Sequence, residues 1–77
     1  MPRYFFDIDD ATTSMRDTEG SELADLPTAQ REAAETLVEM GRDVFRSLDH
    51  GRLSATIRDE AGRVLLSVSL TLSIEGK

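Results

Sequence analysis

Residues 53–74 read LSATIRDEAGRVLLSVSLTLSI, and this stretch decides the fold. Apolar side chains occupy alternate positions before and after the segment 59–62, which is the period of a β-strand with one buried face. The short, polar segment 59–62 predicts a tight turn that Gly62 closes. The stretch therefore predicts a β-hairpin with a fixed register, because a slip of one residue would expose the whole apolar set of the last strand.

The segment before this hairpin predicts an α-helix. Asp25 is a good N-cap, and Pro27 suits the first turn, where a missing N–H costs nothing. Gly51 suits the C-terminal stop, so the helix is expected to run for about 23 residues. Its apolar stripe recurs at spacings of three and four, at Leu26, Ala29, Ala33, Leu37, Met40, Val44 and Leu48.

The N-terminal part of the chain predicts a second, weaker hairpin. Residues 3–8 are rich in aromatic side chains and indicate a strand. Tyr4, Phe6 and Ile8 lie on one face of that strand. A polar turn follows, and residues 14–17 are expected to form a short second strand.

These elements predict the order β-β-α-β-β and the fold class α+β. The simplest architecture is a two-layer sandwich, with a single helix on one face of one four-stranded sheet. The first and last strands are the most apolar, so we expect them at the centre of the sheet. Residues 1–77 are expected to form a single domain with no linker.

The composition excludes several classes of protein. The chain has 77 residues, 15 acidic and 9 basic side chains, a net charge of −6 and no cysteine. It therefore has no disulfide framework and no cysteine-ligated metal, and no window is apolar enough to span a membrane. Negative charge also opposes binding to nucleic acids and to anionic membranes. We expect a cytoplasmic protein without a signal peptide.

Three acidic residues, Asp7, Asp9 and Asp10, are the candidate metal ligands. Carboxylates at such close spacing can hold Mg²⁺ or Ca²⁺. No glycine stands where a calcium-binding EF-hand loop requires one, however, so solvated turn residues are the favoured interpretation. No metal or cofactor is expected.

Pro2 and Arg3 are the candidate catalytic residues. If the initiator methionine is removed, Pro2 presents a free secondary amine at the start of a strand. This is similar to the small tautomerases, which use such a proline as base beside an arginine that holds an anionic substrate. Those enzymes follow the first strand with a helix, whereas an acidic hairpin follows here. The sequence favours a non-enzymatic domain, with a tautomerase-like enzyme as an alternative.

Four apolar residues form the candidate partner interface: Phe5, Val38, Phe45 and Leu65. Val38 and Phe45 widen the apolar stripe of the helix beyond what one sheet requires. A domain this small gains little net stability from its own core. We therefore expect the chain to self-associate as a homodimer and to act through protein–protein contact, without nucleic acid or membrane partners.

The charged side of the helix predicts pairs of opposite charge along its surface. Arg31 and Glu35 are four residues apart, and Glu39 and Arg42 are three apart. Such neighbours can form ion pairs worth a few tenths of a kcal/mol each. We expect these pairs on a solvated face.

Three ordered motifs run through most of the chain. They are the start MPRYFFD, the stretch Asp17-x-x-Gly20-x-Glu22-Leu23-x-Asp25-Leu26, and the stretch Arg58-Asp59-Glu60-x-Gly62-Arg63-x-Leu65. Together they resemble a family of short bacterial proteins of unknown function. That resemblance implies no activity, cofactor or catalytic residue.

A fainter resemblance concerns the entry into the helix. Asp25, Leu26 and Pro27 lead from a hairpin into a helix, which is similar to the HicB-type antitoxin domain. The glycine and cysteine usual in that domain are replaced here by Thr28 and Ala29. The resemblance implies an antitoxin-like binder of a basic protein partner, an alternative that the net charge favours.

Overall fold

The computed structural model describes residues 1–10, 12–46 and 50–76. Within these residues it contains one helix and five strands, so the predicted α+β fold is confirmed. The elements are β1 (Arg3–Asp9), β2 (Ser14–Met15), β3 (Ser21–Glu22), α1 (Leu26–Val44), β4 (His50–Arg58) and β5 (Val64–Ser73). The strand β3 is an addition to the predicted order, because two residues are too few to show the alternation typical of a strand.

The sheet is antiparallel and has the order β2-β1-β4-β5, with β3 pairing the same edge of β1 as β2 does. The expectation that the last strand is central is wrong, because β1 and β4 are the central strands and β5 lies at an edge. The apolar content of β5 has another cause. Its alternate side chains pack under the helix, which buries one face of the strand and leaves its outer edge unaffected.

The hairpin of β4 and β5 has the predicted faces and turn. Leu53, Ala55 and Ile57 are completely buried, and half-buried residues alternate with exposed ones along β5. Gly62 has φ +85° and donates its N–H to the Asp59 carbonyl at 3.0 Å. The turn requires this left-handed backbone conformation, which glycine adopts without steric cost.

The helix begins at the predicted cap. The Asp25 carboxylate accepts the backbone N–H of Thr28 at 2.9 Å, which satisfies one of the free donors of the first turn. The residues of α1 that are buried against the sheet are Ala29, Ala33, Leu37 and Gly41. They form the centre of the predicted apolar stripe.

The helix ends earlier than predicted. α1 stops at Val44, and Phe45 donates its N–H to the Gly41 carbonyl at 2.9 Å. Gly51, the expected stop, lies in β4 beneath the ring of Phe45. Packing that ring against the sheet requires the chain to turn back soon after Phe45. The predicted stripe residue Leu48 lies outside the described residues.

One apolar layer between α1 and the sheet forms the core. Tyr4 is buried with the helix and β4 residues, and Phe6 and Ile8 pack against them, as the alternation along β1 predicts. Among the described residues, no helix combines the length and the apolar character needed to cross a lipid bilayer.

Candidate interaction surface

The outer edge of β5 is unpaired in the described part of the chain. β5 pairs with β4 along its length, and no other described strand pairs with it. Such an edge presents backbone N–H and C=O groups that can bind a strand of another chain. We call the outer backbone groups of residues 64–73 the β5 edge.

The register of the sheet determines which residues present these groups. In an antiparallel pair both backbone groups of a residue point to the same side, and the side alternates along the strand. The Phe6 N–H points away from β4, since it donates to the Asp17 carboxylate at 3.1 Å. Ile57 lies opposite Phe6 in β4, so the backbone groups of Ile57 point toward β5, where Ile57 pairs with Leu66. By alternation, the outward-pointing residues are Ser67, Ser69, Thr71 and Ser73. Before Leu66 the register shifts, because Arg58 pairs with Val64 and Leu65 is an extra residue.

The β5 edge lacks the features that prevent strand pairing. Residues 64–73 contain no charged side chain and no proline, which are the means by which edge strands commonly avoid other chains. The strand has 10 residues, whereas strands are usually about 5–6 residues long. Val64 and Leu65, at its start, are 63% and 38% exposed. The edge is therefore long, uncharged and accessible.

One flank of α1 lies beside this edge. Val38 is 50% exposed, and a groove of about 350 Å³ surrounds it, lined by Ala34, Glu35, Glu39 and Arg42. A second groove, of about 360 Å³, joins Ala34 to Val68 of β5. We call Ala34, Glu35, Val38 and Arg42 the α1 flank. The α1 flank and the β5 edge together form one surface, which we call the edge surface.

The predicted ion pairs of Arg31 with Glu35 and of Glu39 with Arg42 do not form. The ion pairs among the described residues involve other side chains. Long exposed side chains gain little from pairing, because fixing their conformations costs entropy. Glu35 and Arg42 are consequently available on the α1 flank.

The structure separates the four predicted interface residues. Val38 lies on the α1 flank, whereas Leu65, at the start of β5, borders a concavity that Pro2 and Arg3 also line. Phe45 is half-buried against Gly51 and packs on the core of its own protomer. Phe5 lies on the open face of β1, away from β5, with the Arg58 guanidinium 5.1 Å from the centre of its ring.

A charged network occupies the open face of the sheet beside Phe5. Arg58 donates from Nε to Asp7 Oδ2 at 2.6 Å and from Nη2 to the Asp17 carbonyl at 2.9 Å. The side chains of Arg58 and Asp7 are only 11% and 17% exposed. Asp17 fills the gap between β2 and β3, where its carboxylate accepts the N–H of Phe6 and of Gly20. The network connects the N-terminal segment to β4.

The same contacts shift the pKa values of this network. The hydrogen bond from Arg58 lowers the pKa of Asp7, against an opposing effect of burial. Burial would raise the pKa of Asp17, but hydrogen bonds from the N–H groups of Gly20, Phe6 and Glu19 outweigh it, and the pKa is lowered. Both carboxylates are therefore held in the charged form, which suits a structural role better than proton transfer.

Asp17 opens one of the sequence motifs, but the pattern alone indicates no contact for its side chain. An aspartate three residues before a glycine in a turn is a signal for side-chain acceptance of backbone N–H groups, and Asp17 precedes Gly20 in this way. Its link to Arg58 depends on the pairing of β1 with β4, which the local sequence does not reveal.

The predicted metal ligands are not brought together. Asp7 is bound to Arg58, Asp9 accepts the Ser14 hydroxyl, and Asp10 accepts the N–H of Thr13 at 2.6 Å. Within the described ranges, no group of three or more potential ligand side chains is placed to hold a metal ion.

Pro2 and Arg3 lie at an open concavity of about 540 Å³, together with Asp59, Glu60 and Arg63. The Pro2 carbonyl accepts the Leu23 N–H at 3.1 Å. Arg3 donates to the Glu19 carbonyl at 2.9 Å and to Glu22 at 3.3 Å. Its guanidinium is thus already engaged in joining β1 to the segment before α1.

Comparison with known proteins leaves the activity open. No curated protein matches the chain, and no solved structure matches it. A family model does match, over residues 3–71, and it is described as a domain of unknown function. This match includes all five strands and the helix described above, apart from the end of β5. The chain therefore belongs to the DUF6894 family.

Proposed function

We propose that this chain is a small non-enzymatic interaction domain that forms a homodimer through the edge surface. The observation that supports the proposal is the long, uncharged outer edge of β5 beside the half-exposed Val38. Pairing of two strands gives affinity through backbone hydrogen bonds, and the α1 flank adds apolar contact. We also propose a cytoplasmic location, which the cysteine-free composition supports.

The shape of the protomer supports self-association as well. Its radius of gyration is 13.6 Å, whereas a compact domain of this length has about 11.5 Å. One helix covers one face of the sheet, so a large share of the surface remains outside the core. A second copy on the edge surface would extend the sheet and bury part of that share.

The oligomeric state tests the proposal directly. Sedimentation and light scattering of the wild-type chain, from nanomolar to high micromolar concentration, should show a mass rising from 8.5 kDa to twice that value. A folded protein that stays at the protomer mass throughout this range would contradict the proposal.

The variant Ser69→Pro identifies the edge responsible. The Ser69 N–H points outward, so proline removes a donor of the β5 edge and no backbone hydrogen bond to β4. Proline also removes the exposed side-chain hydrogen bond that Ser69 Oγ accepts from Arg52 at 3.2 Å. We expect this variant to remain folded by circular dichroism and to be monomeric. The matched variant Ser69→Thr keeps the N–H and should dimerise like the wild type. A Ser69→Pro variant that is folded and still dimeric would exclude the β5 edge as the interface.

An antitoxin-like binder of a basic protein is the second candidate, favoured by the net charge of −6. A strand of that partner would then occupy the β5 edge in place of the second copy. Titration with a basic protein encoded beside this chain provides the test. A one-to-one complex that Ser69→Pro abolishes would support this candidate, and the absence of any complex would contradict it.

A further inference from the structure

We infer that the homodimer has a two-fold axis through the middle of β5, which pairs Ser69 with its own copy and places α1 against α1 around Val38. Glu35 then faces Arg42 of the partner subunit, and symmetry forms this ion pair twice. The inference rests on the proposed function and adds a definite arrangement to it.

The two faces of β5 restrict the strand register. Residues directly opposite each other in an antiparallel pair have side chains on the same face. In β5 the side chains of Leu66, Val68 and Leu70 pack on the core under α1, and the serine and threonine side chains lie on the open face. Outward-pointing residues must therefore pair with outward-pointing residues for both helices to lie on one side. Ser69 is one of the two central residues of that outward set, which runs from Ser67 to Ser73.

The register of α1 over β5 agrees with this centre. Ala34 borders the same groove as Val68, and a Cβ at Gly41 would lie 3.0 Å from Leu70. Val38 is midway between these two contacts along the helix, and Ser69 is midway between them along the strand. A single two-fold axis can therefore pass close to both Val38 of α1 and Ser69 of β5.

The position of α1 over the sheet allows the helices to meet. α1 packs against both β4 and β5, so its axis lies about half a strand spacing inside β5. Strands lie about 4.8 Å apart, which separates the two helix axes by about 10 Å in the dimer. Packed helices are about 8–10 Å apart, and the small side chains of Ala34 and Val38 permit this approach.

The twist of the sheet sets the angle between the helices. Adjacent strands are rotated by about 20–25°, so helices two strand spacings apart cross at about 40–50°. This is close to the crossing in which ridges of residues four apart interdigitate. Ala34, Val38 and Arg42 form such a ridge on the α1 flank.

The charges of the α1 flank are complementary to those of a second copy that is rotated about Val38. Glu35 precedes Val38 by three residues, and Arg42 follows it by four. An antiparallel copy centred near Val38 therefore brings Glu35 beside Arg42 of the partner subunit. Charge complementarity of this kind favours a second copy over other occupants.

Charge exchange on the α1 flank tests the arrangement. Glu35→Arg and Arg42→Glu should each raise the dimer dissociation constant about tenfold, because each creates two like-charged pairs. The double variant restores opposite charges and has the net charge of the wild type, so its dissociation constant should return to within about twofold. Glu32→Arg, on the opposite flank of α1, is the matched control for Glu35→Arg and should leave dimerisation unchanged.

The outcomes separate this inference from the proposed function. A wild-type chain that never dimerises removes both. A dimer that Ser69→Pro dissociates, but that responds equally to Glu35→Arg and Glu32→Arg, keeps the interface and overturns the two-fold arrangement. The two-fold arrangement is also overturned if the single variants dimerise more weakly and the double variant does not restore the wild-type dissociation constant. Circular dichroism and urea unfolding of each variant verify that the protomers fold.

Discussion

At the scale of the residue, Asp17 is the side chain that holds the N-terminal segment to the sheet. Its carboxylate accepts backbone N–H groups from Phe6, Glu19 and Gly20, and its carbonyl accepts from Arg58. It thereby replaces a strand at the part of β1 that neither β2 nor β3 covers. A single carboxylate thus accepts backbone N–H groups that neither β2 nor β3 binds.

Replacing Asp17 by alanine should lower the free energy of unfolding by about 1–3 kcal/mol, because the half-buried Phe6 N–H loses its acceptor. Urea unfolding measures the change. Asp10→Ala is the matched control, since Asp10 accepts N–H groups only within its own exposed turn. Equal effects of the two substitutions would contradict the role of Asp17.

The lowered pKa values of Asp7 and Asp17 predict a loss of stability in acid. A carboxylate whose folded-state pKa lies below its unfolded value binds fewer protons when folded. Its contribution to the free energy of unfolding is therefore complete above the ordinary pKa of 3.8. That contribution is lost as the pH falls through the lowered pKa. Urea unfolding from pH 7 down to pH 2 should show this loss below about pH 4. In Asp17→Asn the loss should be smaller, and an unchanged profile would refute the assignment.

Two glycines predict different responses to alanine. At Gly51 a Cβ would lie 2.6 Å from the Phe45 ring, whereas at Gly41 it would lie 3.0 Å from the end of the flexible Leu70 side chain. Gly51→Ala should destabilise the protomer by about 1–3 kcal/mol. Gly41→Ala gains about 1 kcal/mol of helix propensity, which offsets the shift of Leu70, so its stability should change little. Thermal unfolding of both variants below the dimer dissociation constant provides the comparison.

At the scale of the element, β5 has two different sides. From Leu66 to Ser73 its even-numbered residues bind β4 and its odd-numbered residues point outward, according to the register of the sheet. This difference follows from the alternation of backbone groups in antiparallel strands. Substitutions one residue apart should consequently have distinct effects.

Val68→Pro should lower the free energy of unfolding more than Ser69→Pro does, by about 1–3 kcal/mol. Proline at Val68 removes an N–H that binds β4 and leaves the Ala55 carbonyl without its donor. Urea unfolding of both variants at a concentration where the chain is monomeric measures the difference. Equal destabilisation would mean that the assignment of the two sides is wrong.

At the scale of the whole molecule, residues 1–10, 12–46 and 50–76 form a thin two-layer unit in which no described strand pairs with the outer edge of β5. Its extents are 49 × 22 × 18 Å, and one helix covers a sheet of which β5 forms the last strand. The proposed dimer should stabilise such a unit, since binding to the folded state alone shifts unfolding by mass action.

The midpoint of thermal unfolding should therefore rise with protein concentration. A tenfold increase adds about 1.4 kcal/mol per dimer to the free energy of unfolding when the dimer dissociates on unfolding. Differential scanning calorimetry over two decades of concentration measures the shift. Ser69→Pro should show no dependence, and a wild-type midpoint that is independent of concentration would contradict the dimer.

Much of the architecture was predictable from local pattern. The alternation in 53–74, the Asp25 cap and the aromatic strand 3–8 are local signals, because strand faces and helix caps depend on residues only a few positions apart. The helix end was not predictable in this way, since Phe45 packs on Gly51 across a turn. The four interface candidates followed from apolar positions beyond those that one sheet requires. The structure shows that Phe45 packs partly on the core, and the role of all four at an interface stays a prediction.

Spacing along the chain was enough to predict which residues form strands and helix and which of their faces are apolar. The position of β5 at an edge, with the α1 flank beside it, became evident from the assembled fold alone. The fold likewise brings Asp7, Asp17 and Arg58 together. These features depend on which strands become neighbours, and the pairing of distant segments is set by the packing of the whole sheet under one helix.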